Sequence, residues 1–172
     1  QGQFAYAATP NLSIKEVQHA FDRAFRDASQ AANYGIYKFN EEVRPGHHGR
    51  YKSPYQVDFN SISNEQINYI LIKANEVMQM SDKIKNVLAM LRIVETDMEY
   101  VSTSGSDIKQ NFNFIGLVLQ AIAEHQGVIQ KRSDADSHQQ GGLEHFTLDN
   151  VIDRATKVAS EALELLEADE CP

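Results

Sequence analysis

Cysteine, tryptophan and proline are scarce in this chain, and the scarcity closes off whole classes of protein. Its 172 residues hold one cysteine, four prolines and no tryptophan. The lone Cys171 excludes an internal disulfide and any cage of several thiolates, leaving a surface thiol or a bridge to a second chain. Positive charge is also short: 16 Lys and Arg stand against 24 Asp and Glu, a net charge of −8. That field repels a nucleic-acid duplex, and no compact basic stripe offsets it. Long apolar runs are missing as well. The densest stretch, Phe112 to Ala123, is interrupted by Asn113 and Gln120 and falls short of the roughly 20 residues a spanning helix needs.

Catalytic signatures are lacking in the same way. There is no Gly-x-Ser-x-Gly elbow and no glycine loop followed by Lys-Ser/Thr. The adjacent His47 and His48 have only Asp58 nearby in sequence, too few donors at known spacing for a metal site. The reading is therefore of a protein that is not an enzyme, with no metal and no cofactor.

What is present is helical periodicity. From Ser63 to Val101 there is no proline or glycine, and Ile67, Ile70, Leu71, Ala74, Val77, Met78, Ile84, Val87, Leu88, Leu91, Val94, Met98 and Val101 recur at three- and four-residue intervals. That rhythm predicts one long amphipathic helix. A first helix is expected over Ile14 to Glu42, opened by a Ser13/Glu16 capping box. A third is expected over Asp107 to Gln130, with His125 at the edge of its apolar stripe. A fourth begins at Leu148 behind Thr147. Ser133 to Glu144, with Gly141-Gly142, reads as a mobile loop. The fold class expected is all-α: an arm over residues 1–12, then one domain over 13–172, an up-down-up-down four-helix bundle.

Its irregular feature is the long loop between helices 1 and 2, Arg44 to Asn60. Aromatic residues gather there and around it. Tyr34, Tyr37, Tyr51, Tyr55, Phe59 and Phe112 are expected to line a pocket at one end of the bundle, with His47, His48 and Arg50 at its rim. The chain starts at Gln1 without methionine, and Asn11-Leu12-Ser13 is an N-glycosylation sequon; together they suggest secretion and a glycan on Asn11. The function expected is a secreted, non-enzymatic helical-bundle protein that binds a small hydrophobic ligand or a partner surface. The alternative is an interaction or structural module, a homodimer formed through exposed helix faces or Cys171.

Overall fold

Period two, not period 3.6, governs the middle of the chain. A computed structural model describes residues 2–39 and 45–168. From Asp107 to His125 every second residue from Asn113 to Ala123 is buried, and the residues between are half-exposed. That alternation belongs to a strand with one face on a core. Among the described residues the chain forms three α-helices and a four-stranded sheet: α1 (Ile14–Ala31), β1 (His48–Lys52), α2 (Asn64–Met78), β2 (Ile84–Val101), β3 (Asp107–His125), β4 (Val128–His138) and α3 (Leu148–Glu164). The expected all-α four-helix bundle is therefore overturned in favour of a mixed α/β fold.

The two interior helices of that bundle fail for identifiable reasons. The apolar series leaps six positions from Met78 to Ile84, and there α2 stops. Ser81 takes over, its hydroxyl accepting the Lys83 N–H and its carbonyl the Ile84 N–H. The predicted third helix contains Gln126-Gly127. Both residues have positive φ, 52° and 84°, the conformation of a two-residue type I′ hairpin turn. β3 and β4 pair antiparallel from His125↔Val128 out to Ile115↔His138, so Ser133 to His138 are ladder residues rather than part of a mobile loop. His125 lies exposed beside the hairpin turn, not at a core edge.

The described residues fall into two compact units, Gln1–Gly49 with Tyr100–Ile108, and Arg50–Glu99 with Lys109–Pro172. In the first, Ser13 caps α1 by accepting the Glu16 N–H, as its sequence suggests, but the helix ends at Ala31; the expected end at Glu42 lies outside the described residues. No residue of α1 is buried. Arg23 Nη2 donates to the Ala8 carbonyl at 2.9 Å, tying the arm to the helix. Phe39 meets Phe4 and Tyr37 edge-on, with ring centroids 5.2 and 5.0 Å apart.

The second unit holds the main core. Ser63 caps α2 with a reciprocal capping box to Gln66, and Thr147 caps α3. Both helices cover one face of the sheet. Ile70, Ala74 and Met78 of α2, and Val151, Ala155, Val158, Ala159 and Ala162 of α3, bury against Ile115, Leu117, Leu119, Ala121 and Ala123 of β3. The alanines on both sides let helix and sheet backbones approach closely, and each fully buried large side chain such as Leu119 contributes about 1.5–3 kcal/mol. In the sheet β3 is central, with β2 as one neighbour and β1 and β4 both pairing with it. Among the described residues of this unit no helix lies on the opposite face, and Leu88, Met90 and Phe112 are exposed there. Among the described residues no helix is long and apolar enough to cross a membrane.

Candidate functional site

β4 ends at His138, and the chain returns through Gln139–Gly142 into a single 3-10 turn, Leu143–His145, just ahead of α3. This return segment borders a polar cluster on one side and an aromatic cleft on the other.

The polar cluster is built from strand and helix side chains of opposite charge. Arg154 on α3 grips Asp134 on β4 with two bonds, Nε to Oδ2 at 2.7 Å and Nη2 to Oδ1 at 3.0 Å. Its Nη1 lies 3.7 Å from Asp136. The hydrogen bond from Arg154 holds the Asp134 carboxyl below its ordinary value, and the same bond holds the guanidinium above its own. Asp136 Oδ2 is 2.9 Å from His138 Nε2. The His138 ring stacks on His145, centroids 3.6 Å apart and planes 5° from parallel. Glu144 turns the other way. Its Oε1 accepts the Gly142 N–H at 2.8 Å and its Oε2 the Val57 N–H at 2.9 Å. Burial pushes this carboxyl up, but the N–H groups of Gly142, Val57, Glu144 itself and Gln56 outweigh that and hold it at about 2.

These donors do not make a metal centre. Among the described residues no three His, Cys, Asp or Glu side chains are grouped to hold an ion. The geometry gives the reason. An imidazole binds a metal in its own ring plane at about 2.0–2.1 Å, and two parallel planes 3.6 Å apart cannot both contain one ion. Both Glu144 oxygens are taken by backbone donors, and Asp134 is taken by a fixed cation.

On the sheet face away from α2 and α3, Tyr51, Val94, Thr96, Phe112, Asn113, Phe114, Gln139 and Gln140 line an open cleft of about 470 Å³. Tyr51 and Phe112 meet at 5.5 Å between ring centroids, and Gln140 Nε2 donates to the Tyr51 hydroxyl at 3.3 Å. The Arg92 guanidinium lies over the Phe114 ring at 5.7 Å. Tyr51 is shared with a second open groove of about 570 Å³, walled by Arg50, Lys52, Met98, Lys109 and Asn111 among others. An apolar floor with amide and cationic groups at its margin suits an extended chain carrying apolar side chains.

The residues expected from sequence divide between the two units. Tyr51, Phe112 and Arg50 come together at the clefts. Tyr55 does not join them: its hydroxyl donates to Asp58 Oδ2 at 2.8 Å and accepts from Lys52 Nζ at 3.1 Å, a bond that raises the Lys52 ammonium above the ordinary lysine value. Phe59 is buried and stacks on Tyr55 at 6.4 Å. Tyr34, Tyr37, His47 and His48 belong to the first unit. There Tyr34 is exposed, His47 donates its backbone N–H to Ser106 Oγ, and His48 opens β1. Asn11 is exposed, its side-chain oxygen accepting the Ser13 N–H. Cys171 lies outside the described residues. Reading from the sequence missed Phe114, Gln139, Gln140 and the whole polar cluster, because a helical assignment points Phe112 and Phe114 apart whereas a strand puts them on one face.

Residues 57–168 match the family described as the PmbA/TldA metallopeptidase central domain. The whole chain superposes on the crystal structure of a Thermotoga maritima protein described as a candidate modulator of a DNA gyrase, with a TM-score of 0.73 and 18% identity. The chain spans 37% of that protein's length. No curated protein matches by sequence.

Proposed function

The chain belongs to the PmbA/TldA metallopeptidase central-domain family, and from that premise we propose that it is the peptide-receiving part of a peptidase whose metal is held outside the described residues. The family's description runs against the expectation of a non-enzymatic protein, and the mixed fold removes the helical bundle on which the ligand-binding reading and its bundle-face alternative both rested.

The observation that carries the proposal is the aromatic cleft on the helix-free face of the sheet. A peptidase must fix the scissile peptide in one orientation toward the attacking water, and holding the chain extended along a cleft does this. Tyr51, Phe112 and Phe114 offer flat apolar contact, and the Gln139 and Gln140 amides can each donate to and accept from a peptide backbone. The chain's own residues would bind and orient the peptide; the polar cluster, whose donors do not converge, would supply no metal ligand. A protein or peptide partner is also in keeping with a net charge of −8, and the gyrase named for the Thermotoga protein is a partner of that kind.

Fluorescence anisotropy with labelled, unstructured peptides tests this. Peptides carrying an apolar or aromatic residue should bind, and Tyr51→Ala with Phe112→Ala should weaken binding at least tenfold, about 1.4 kcal/mol or more, with the circular dichroism spectrum unchanged. Equal affinity for the double variant, or no affinity in the native chain, contradicts the proposal.

A further inference from the structure

We propose that the stacked His138 and His145 rings form a proton-operated clasp on the Gln139–Gly142 loop, and so gate the wall of the aromatic cleft; the gating rests on the peptide-site reading above, the clasp does not. The loop is closed on itself by this stack. A Cβ at Gly141 would sit 2.5 Å from His145 Nε2 and 3.4 Å from His138 Cβ, so the glycine is what lets the two rings meet across the loop. Gln139 and Gln140 stand between the two histidines in sequence and on the cleft wall in space. Whatever parts the rings therefore frees that wall.

Protons are the agent the surroundings favour. The groups facing the pair are Asp134 and Asp136 from β4, Glu144 from the 3-10 turn, and Arg154 with the neutral Asn150 from α3; Leu91, Ile115, Leu117 and Phe146 close the inner side. Asp136, 2.9 Å from His138 Nε2, offers a counter-charge to one imidazolium. A second imidazolium would face the first at 3.6 Å, while Arg154 already compensates Asp134 and both Glu144 oxygens accept backbone N–H groups. The Glu144 carboxylate lies 3.8 Å from His145 Nε2, beyond direct hydrogen-bond reach. Face-to-face stacking suits two neutral rings or one charged ring, and two like charges separate. Glu144 stays ionised far below the histidine range, so Gly142 remains anchored to Val57 while the stretch before it swings.

Hydrogen exchange of the native chain, without peptide, reads the clasp directly. Corrected for intrinsic rates, backbone amides of Gln139–Gly141 should lose protection at least about fivefold between about pH 7.5 and about pH 5, while the Leu143 amide, anchored on Val57, and the β3 amides hold theirs. The double variant His138→Phe/His145→Phe keeps a stack that cannot charge and should abolish the pH step. His145→Gln removes the stack and should leave the loop equally exchangeable at both pH values. Constant protection in the native chain, or an undiminished pH step in the double Phe variant, overturns the clasp. Peptide affinity is a separate readout: failure to bind at any pH sinks the peptide site and leaves the exchange result standing.

Discussion

Glu144 reaches a partner 87 residues earlier in the chain, its Oε2 accepting the Val57 N–H at 2.9 Å. The contact is doubled by the Leu143 N–H donating to the Val57 carbonyl at 3.0 Å, so the segment before α2 and the segment before α3 are fastened at one point. A carboxyl held at about 2 against an ordinary 4.5 stabilises the fold only while ionised. Because the folded-state value is the lower one, this stability is fully present above about pH 4.5 and is lost as pH falls toward about 2. Solvent at its rim screens part of the effect, leaving about 1–2 kcal/mol. Urea denaturation of the native chain and Glu144→Gln should therefore differ by that amount at neutral pH and converge near pH 2. A gap that persists in strong acid contradicts the assignment.

Gly142 should not tolerate a side chain. A Cβ there would lie 2.1 Å from the Val57 carbonyl oxygen and 3.0 Å from Tyr55 Cβ, and the first of these is backbone that cannot rotate away. Gly142→Ala should cost roughly 2 kcal/mol or more, read as a lowered thermal midpoint. Gly127→Ala is milder in contacts, with open space around it, but strained by a φ of 84°, and should cost about 1 kcal/mol. If Gly142→Ala proves the gentler of the two, the fastening at Val57 is misdescribed.

Core and open face separate cleanly in the sheet. Leu119 is 0% exposed and Leu88 is 41% exposed, although both lie on the apolar stripes that suggested helices. Leu119→Ala should cost about 2–5 kcal/mol and Leu88→Ala below about 1 kcal/mol. Comparable losses at the two positions would mean that the helix-free face is covered.

Helix N-termini were legible because their signals are local: Ser13, Ser63 and Thr147 each cap a helix through a side chain three residues from its donor. The strands were not. β3 is apolar on both faces at Ile115, Val118, Leu119 and Ile122, so a period of two hides within a period of 3.6. Hydrophobic spacing alone cannot arbitrate such a run; the Gly127 turn could, since glycine with positive φ closes a hairpin and interrupts a helix. Tyr51, Phe112 and Arg50 were found because aromatic and cationic residues stand out in any reading. Phe114 and Gln140 were not, because their partnership with Tyr51 depends on strand register. The His138–His145 stack joins residues seven apart through an irregular return, which no periodic pattern announces.

The most direct measurement is chemical-shift mapping of the isotopically labelled chain titrated with an unstructured apolar peptide. Perturbed backbone and side-chain signals should gather at Tyr51, Val94, Thr96, Phe112, Phe114, Gln139 and Gln140, and leave α2 and α3 untouched. Perturbations gathered on α2 or α3, or a spectrum that does not move at saturating peptide, would contradict it.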